Sequence, residues 1–384
     1  MRLSLTPVAL LALPLLAAGS QQRADTSSLT ARLGVDTIAV ERIVRTATSV
    51  EAELVTRSPR TTLQRHRATL DVRGMLSALQ ITELDPTTGA EMRRTTYTHI
   101  GDSLRIVETG GERPGERTVA APAEWLPFVD LVHWPFDIAL RRLRASGVTS
   151  IDAPMLSGNR IARFPLVLTS ADSATVTHPT RGTMRLAVLR DGSIRTLDAG
   201  ATTRALVVTR ARDADVPALA RDFAARDAAG RGIGELSGRG GGETTVLGAK
   251  ITLDFGVPMK RGRAIWGGLV RYDQLWRTGA NRATHFSTDT PLRFGEFLVP
   301  AGDYTLFSIP AADGGVLIIN KQTGQNGQQY DQARDFGRIP LRARALPASV
   351  EAFTIAVRTE NGRGVLALQW DLTELVAEFA VARP

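Results

Sequence analysis

The stretch VEAFTIAVRTENGRGVLALQWDLTELVAEFAV, residues 350–381, decides the fold class of this chain. Apolar and polar residues alternate on both sides of Asn361-Gly362, as they do in strands that bury one face. Asn-Gly suits a tight hairpin turn because both of its residues readily adopt a positive φ. The stretch therefore predicts two or three strands, the first pair joined at 361–362.

The segments upstream follow the same pattern. RFGEFLVPAGDYTLFSIP (293–310) predicts two strands around a sharp Pro300-Ala301-Gly302 turn. ADGGVLIINK (312–321) predicts a hairpin that leads into a strand buried on both faces. Many short strands with Gly and Pro turns and hardly any helix favour an antiparallel β-sandwich or jelly-roll-like domain over residues 244–384.

Residues 30–225 predict a second β-rich domain, a sheet with one or two helices. Gly101-Asp102 and Asp191-Gly192 each lie between alternating runs, as in hairpins. One helix is expected in AEWLPFVDLVHWPFDIALRRLRA (123–145), interrupted by Pro135, with its aromatic residues packed on the sheet. A second is expected in DADVPALARDFAARDAAGRG (213–232), with Asp215 as N-cap. The fold class is therefore mainly β, with two β-rich domains.

The glycine-rich stretch GRGIGELSGRGGGE, residues 230–243, has no hydrophobic period. It lacks the lysine and serine or threonine that end a P-loop, and the glycine spacing of a Rossmann turn. We predict a flexible linker between the two domains.

Composition limits the classes of partner. The chain has 384 residues, 43% hydrophobic and 22% charged, which suits two or three globular domains. Its net charge of +8 raises the question of nucleic-acid binding. The basic residues are interleaved with acids along the whole chain, so no block of like charge marks a phosphate-binding face. Nucleic acid is not expected as a partner.

The first residues, MRLSLTPVALLALPLLAAGSQQ, are typical of a secretory signal peptide. Their apolar run is short and proline-interrupted, and small residues at 18–20 offer a cleavage site. We expect a signal peptide at 1–20, no integral membrane segment after its cleavage, and a periplasmic or secreted protein; an uncleaved anchor is the alternative. The sequence has no cysteine, so disulfides, thiolate zinc sites and an acylated-cysteine lipid anchor are not expected.

The segment from Leu253 to Pro310 carries an ordered set of Gly, Trp, Arg and Asn residues centred on WRTGANRATHFSTDT, residues 276–290. It resembles a bacterial exported family catalogued as domain of unknown function 2911, over roughly residues 244–358. The residues that match the family pattern in order are Asp254, Pro258, Lys260, Gly262, Arg263, Gly267, Gly268, Trp276, Arg277, Thr278, Gly279, Ala280, Asn281, Thr284, Pro300, Ala301, Gly302 and Tyr304. Arg271 replaces a usual proline, and Asn326 stands where the family has tryptophan. The resemblance implies an exported β-domain and no particular activity.

Two explanations of Arg277 stay open. Its planar guanidinium could bind a carboxylate or phosphate beside Trp276, with Asn281 fixing the orientation. Alternatively, Arg277 pairs with Asp254 or Asp289 and holds a corner between strands. The candidate ligand-binding or structural residues are Asp254, Lys260, Arg263, Trp276, Arg277, Asn281, His285 and Tyr304.

No catalytic residue is assigned. His285, Ser287 and Asp289 alternate on a predicted strand, where every second residue is about 6.5 Å further on, too far for a catalytic triad. The five histidines have no metal-ligand spacing, so neither a metal nor another cofactor is expected.

The sequence thus predicts an exported binding or structural module of the cell envelope, with a small polar or acidic molecule as a possible ligand and no expected catalysis. Pairing with another envelope protein through a sheet edge is a further possibility. The alternatives are an envelope hydrolase that uses the His285 region and a periplasmic carrier of an apolar or lipid ligand. The carrier hypothesis rests on the N-terminal domain and on the analogy of a curved sheet wrapped on a helix.

Overall fold

The computed structural model describes residues 24–202, 204–211 and 213–382, and within them the chain is mainly β. It forms one sheet of fifteen strands and one of nine, which confirms the predicted fold class of two β-rich regions. The predicted signal peptide, residues 1–20, lies outside the described residues. In the part of the chain that the structure describes, no helix is long and apolar enough to cross a membrane.

The N-terminal sheet is an antiparallel meander, apart from one short parallel pair at its edge. Its strands are β1 (Asp25–Leu33), β2 (Asp36–Arg45), β3 (Ser49–Thr56), β4 (Thr62–Leu70), β5 (Leu76–Leu84), β6 (Glu91–Ile100), β7 (Ser103–Gly110), β8 (Gly115–Ala120), β9 (Leu126–Pro127), β10 (Ser150–Ser157), β11 (Arg160–Leu168), β12 (Ser173–His178), β13 (Gly182–Val188), β14 (Ile194–Asp198) and β15 (Val207–Ala211). β1 pairs with both β2 and β15, so the two ends of the meander lie side by side in mid-sheet. The hairpins predicted at residues 101–102 and 191–192 are both present.

One face of this sheet curves around helix α1 (Trp134–Ser146). Buried side chains from α1 and from strands along the whole sheet form a single core, in which Trp134 and Leu140 are almost inaccessible to solvent. The predicted interruption at Pro135 is wrong, because Pro135 lies in the first turn of the helix. A proline is tolerated there, since the first-turn N–H groups have no partner within the helix.

Helix α2 (Val216–Ala228) packs on the opposite face of the N-terminal sheet. Its Val216 and Phe223 join a small core with Val40 and Val55 of β2 and β3. The predicted N-cap is confirmed: the Asp215 carboxylate accepts a hydrogen bond of 2.9 Å from the backbone N–H of Ala218.

The predicted linker over residues 230–243 is wrong from Ser237 onward, because Ser237–Val246 is strand β16 of the second sheet. Two of its glycines allow β16 to lie close to the neighbouring strand β17 (Ala249–Pro258); they do not make the segment flexible. A Cβ at Gly241 would lie 2.0 Å from the Leu253 carbonyl oxygen, and one at Gly240 would lie 2.6 Å from the Val257 side chain. Larger residues at Gly240 and Gly241 would therefore collide with β17.

The C-terminal sheet is antiparallel and continues from β16. Its other strands are β17 (Ala249–Pro258), β18 (Thr284–Thr288), β19 (Leu292–Phe294), β20 (Phe297–Val299), β21 (Gly302–Ala311), β22 (Gly314–Asn320), β23 (Asp335–Glu360) and β24 (Arg363–Val381), with a short 3-10 turn at Gln332–Arg334. β23 and β24 are long and bend at register shifts, so that β16 and β17 pack against β23 and enclose a core. The hairpin at 361–362 agrees with the sequence prediction, and in β22 consecutive residues from Leu317 to Asn320 are buried, as expected of a strand covered on both faces.

Candidate ligand-binding site

Residues 259–283, between β17 and β18, contain no regular strand or helix, yet they are held firmly. Trp276 exchanges two backbone hydrogen bonds with Ser308 of β21, at 2.7 and 2.9 Å. The indole of Trp276 packs against Trp266, Phe353 and Trp370, with ring centroids 5.0–6.2 Å apart. This aromatic cluster anchors the start of the signature on the C-terminal sheet.

The turn that follows is fixed by buried hydroxyl groups. Thr278 is inaccessible to solvent, has a φ of +52°, and its hydroxyl donates to the Ser308 hydroxyl at 2.9 Å. The Thr284 hydroxyl donates to the Thr278 carbonyl at 2.7 Å. Gly256 lies so close that a Cβ there would be 1.9 Å from the Ala280 carbonyl oxygen. The corner therefore keeps its shape through threonine and glycine residues.

Arg277 has no carboxylate partner among the described residues, so the predicted pairing with Asp254 or Asp289 is wrong. Asp254 is taken by Arg239, through two contacts of 2.6 Å that lower the pKa of Asp254. Asp289 accepts hydrogen bonds from the Lys250 backbone N–H and from a neighbouring threonine hydroxyl. The side chain of Arg277 donates only one described hydrogen bond, a long one of 3.5 Å to the Asn281 carbonyl oxygen.

The side chain of Arg277 is partly shielded from water, and no described carboxylate balances its charge. The side chain is half-buried, and burial lowers the pKa of its guanidinium. A Cβ at Gly327 would lie 2.6 Å from the Arg277 Cδ atom, so the turn beside Asn326 packs directly on its stem. A guanidinium in this state favours an anion as its missing partner.

Arg277 faces a cleft of about 640 Å³ between the two sheets, which we name the interdomain cleft. Of the eight predicted residues, it is lined by Arg263, Trp276, Arg277 and Asn281, and Trp370 lies beside them. Loops of the N-terminal domain contribute Asp130, Arg181 and Arg204 to the opposite wall, and the connecting segment contributes Glu235. Four arginines and two carboxylates thus line the interdomain cleft.

Two of the four arginines share a single carboxylate partner. Asp130 accepts from Arg181 at 2.8 Å and also from Arg204, which holds that wall together. Arg263 and Arg277 have no acidic partner among the described residues. Arg263 donates instead to the backbone carbonyls of Lys260 and Met259. The C-terminal wall therefore carries two arginines without a described acidic partner, whereas the two arginines of the N-terminal wall share one carboxylate.

The other predicted residues have structural partners away from the cleft. The Lys260 ammonium contacts Asp371 at 2.6 Å and the Ser349 hydroxyl at 3.1 Å. Asp254 pairs with Arg239, as described above, and does not line the cleft. His285 is half-buried on β18, opposite Asp254 on β17 and Thr305 on β21. In residues 213–382, no hydrogen bond joins His285 to Ser287, so the geometry gives the hydrolase alternative no support.

Tyr304 has a local structural role. Its ring is buried against Phe286 and Phe336, and its hydroxyl donates to the Pro300 carbonyl oxygen at 3.0 Å across the 300–302 turn. We expect Tyr304→Phe to lower the free energy of unfolding by about 1 kcal/mol, because the part-buried hydrogen bond across the turn is lost. Urea unfolding checks this value. An unchanged midpoint would mean that the hydroxyl group contributes nothing to the turn.

Sequence reasoning did not identify the N-terminal wall. Asp130, Arg181 and Arg204 belong to no motif and lie in three separate loops, after β9, β12 and β14, that only the folded domain brings together. It also passed over Arg261, which lies between the predicted Lys260 and Arg263 and joins the two domains. Its left-handed backbone, with a φ of +49°, could not be inferred from the residue type.

Metal chemistry has no preformed centre in the described residues: no group of three or more His, Cys, Asp or Glu side chains is placed to hold an ion. The interdomain cleft is lined by two carboxylates, Asp130 and Glu235, as candidate metal ligands.

No curated protein matches this chain. Among solved structures, it is similar to a DUF1089 family protein from Pseudomonas aeruginosa, at 12% identity and a TM-score of 0.32, over 42% of this chain and 90% of the other. It is also similar to a β-barrel-like protein of domain of unknown function DUF1849 from Brucella abortus, at 12% identity and a TM-score of 0.32, over 49% and 95% of the two chains. Residues 240–379 match the model of the family described as protein of unknown function (DUF2911), which confirms the resemblance carried by the Trp-Arg-Thr-Gly-Ala-Asn signature.

Proposed function

We propose that this protein is an exported binding module of the bacterial cell envelope, and that its interdomain cleft holds a small acidic ligand. Export is supported by the signal-peptide pattern of residues 1–20 and by the resemblance to an exported family. The observation that carries the ligand class is Arg277, a half-buried guanidinium in the cleft without a carboxylate partner among the described residues.

The chemistry around Arg277 suits a carboxylate or phosphate. Its planar fork can donate two parallel hydrogen bonds to such a group, and these are stronger in a partly dehydrated cleft than at the surface. Arg263 adds a second positive charge on the same wall. The half-buried indole of Trp276 offers an apolar surface for the body of the ligand.

The size of the cleft suits a metabolite rather than a protein segment. Small-molecule sites usually enclose about 300–1,000 Å³ and combine apolar walls with a few polar groups. The interdomain cleft, at about 640 Å³, lies within that range and at a domain interface, where such sites are frequent.

The test is ligand-induced thermal stabilisation of the full chain with defined probes. Succinate, citrate, inorganic phosphate and glycerol 3-phosphate are the acidic probes, and glycerol is the uncharged control. At least one acidic probe should raise the Tm of the wild-type protein, because a ligand that binds only the folded state stabilises it by mass action. Glycerol at the same concentration should not.

Arg277→Ala should abolish that stabilisation and leave the Tm of the free protein nearly unchanged, since only one long hydrogen bond is lost. Arg271→Ala is the matched control, because Arg271 is exposed and does not line the cleft. If no acidic probe stabilises the wild type, or if Arg277→Ala responds as the wild type does, the proposed site is wrong.

A further inference from the structure

A second large cavity, of about 800 Å³, lies in the N-terminal domain, beside α1. We name it the α1 cleft. Its wall includes apolar side chains from α1 and from the neighbouring strands, among them Met75, Leu126, Ile138, Leu143 and Ile151. It shares no lining residue with the interdomain cleft and is a separate site.

The α1 cleft also carries an excess of positive charge. Five arginines line it, at positions 45, 73, 141, 142 and 163, against three carboxylates, at positions 124, 152 and 191. An apolar wall with a positively charged margin matches a molecule that has a hydrocarbon part and an anionic head group.

Arg45 is the group that lacks a partner. It lies at the end of β2, is half-buried, and makes no described hydrogen bond or ion pair. Its Nε atom is buried without a hydrogen-bond partner among the described residues. Burial and the nearby charge of Arg141 lower the pKa of the Arg45 guanidinium. The more distant charges of Asp137, Asp191 and Asp25 act in the opposite direction, but none of these carboxylates contacts Arg45. A partly dehydrated cation without a direct partner favours an anion that can contact it.

The neighbouring arginines of the same wall have partners for their terminal nitrogens, although the Arg141 Nε, like that of Arg45, is buried without one among the described residues. Arg141 contacts Asp191 at 2.7 Å and Asp25 at 3.0 Å. Arg142 donates twice to the Gly74 carbonyl oxygen, at 2.6 and 2.9 Å, and so fixes that loop at the margin of the cleft. Arg45 alone among these three is left open toward a ligand.

We propose that the α1 cleft binds a single-chain amphipathic anion, with the hydrocarbon chain along α1 and the head group at Arg45. This site is independent of the acidic-ligand site proposed above, and its ligand is of a different class. A fatty acid and an alkyl phosphate share the required chemistry, since both carry an anionic oxygen group on one apolar chain.

The experiment measures binding to the full chain by isothermal titration calorimetry, below the micelle concentration of each probe. Dodecanoate and dodecyl phosphate are the amphipathic anions, and the preference between them identifies the head group. 1-Dodecanol has the chain without the charge, and butyrate has the charge without the chain. At least one of the two anions should bind at least tenfold more tightly than either control.

Two variants locate the site. Arg45→Gln should weaken binding of the preferred anion about tenfold or more and leave binding of 1-dodecanol unchanged, because only the charged head group loses its partner. Ala145→Trp should weaken both, because Ala145 lines the cleft on the exposed side of α1, where an indole would occupy the space of the chain. Arg113→Gln, an exposed arginine outside the cleft, is the control.

Equal binding of dodecanoate, dodecyl phosphate and 1-dodecanol would overturn the role of Arg45. Binding of butyrate as tight as that of the long anions, or full binding by a folded Ala145→Trp protein, would overturn the role of the α1 cleft. Absence of binding by both anions would overturn the proposal as a whole. Circular dichroism and the Tm of each variant establish that it is folded. Arg277→Ala should bind both anions as the wild type does, so that failure at the interdomain cleft can be distinguished from failure at the α1 cleft.

Discussion

Arg261→Ala is expected to uncouple the two domains and to lower the free energy of unfolding by about 3 kcal/mol, because it removes a nearly buried ion pair and two further hydrogen bonds. The guanidinium of Arg261 contacts Asp36 of the N-terminal sheet at 2.6 Å. It also donates to the carbonyls of Ile233 and Glu235 in the connecting segment, at 3.2 and 3.3 Å. Only 7% of its side chain is exposed, whereas that of Asp36 is 30% exposed, which limits the loss.

The backbone of Arg261 also contacts the N-terminal domain. Its carbonyl oxygen accepts a hydrogen bond of 3.0 Å from the Val35 N–H, in the turn between β1 and β2. That turn contains Gly34, with a φ of +62°, where a Cβ would lie 1.8 Å from the same carbonyl oxygen. Gly34→Ala should therefore separate the domains as well, without removing any charge.

Differential scanning calorimetry of the full chain measures this effect. We expect one cooperative transition for the wild type and two resolved transitions for Arg261→Ala and Gly34→Ala, because each sheet has its own core. Gly74→Ala is the matched control for Gly34→Ala, since Gly74 also has a positive φ but a Cβ added there would meet nothing within 4 Å. A single transition at the wild-type Tm in both variants would contradict a coupling role for Arg261.

Both variants should also lose the response to acidic probes at the interdomain cleft. Arg277 lies on one wall of that cleft and Arg204 on the other, so a ligand that contacts both walls requires them to be docked. Retention of the full response in a protein with two transitions would show that the C-terminal wall binds the ligand alone.

Local sequence patterns determined most of the fold and little of the candidate site. The Asn361-Gly362 turn and the Asp215 cap are decided by residues a few positions apart, and both were predicted. Strand β16 was not predicted, because its Gly240 and Gly241 are required by close contacts with atoms of β17. The sequence of β16 alone does not show those contacts. A one-dimensional pattern cannot register such close approach.

The candidate site depends on contacts of long range. Arg277 was singled out from its signature, but its supposed partner Asp254 is occupied by Arg239, from the segment predicted as a linker. The other wall comes from residues more than seventy positions earlier, which no spacing rule connects to Arg277. The signature identified residues of the C-terminal wall of the interdomain cleft. The N-terminal wall can be identified only once the two domains are docked through Arg261.

The stability of the N-terminal domain is expected to depend on pH through His66, which is completely buried beneath α1. The Trp134 Nε1–H donates to His66 Nδ1 at 3.1 Å, so that nitrogen must carry a lone pair. The other ring nitrogen, Nε2, then carries the proton and donates it to the side-chain amide oxygen of Gln64, Oε1, at 3.1 Å. Protonation of Nδ1 would break the bond to Trp134 and bury a charge, and burial lowers the pKa of His66 to about 4.

The sign follows from the two pKa values. Because the folded pKa, about 4, lies below the unfolded value of 6.5, the unfolded state takes up the proton first as the pH falls. The stabilisation is complete above pH 6.5 and is lost between pH 6.5 and 4, by about 3 kcal/mol in total. Asp137, whose pKa burial raises to about 6, titrates in the same range with the opposite sign, so the wild-type curve alone does not isolate His66.

His66→Gln isolates it, because the amide oxygen of glutamine can still accept the Trp134 indole N–H while the side chain does not titrate. Urea unfolding of both proteins at pH 7 and pH 4 gives two differences in free energy. We expect the wild type to lose about 3 kcal/mol relative to His66→Gln on going from pH 7 to pH 4, since the contribution of Asp137 is common to both and cancels. Parallel pH profiles for the two proteins would show that His66 is not held neutral by the contact with Trp134, and that the acid sensitivity of the domain arises elsewhere.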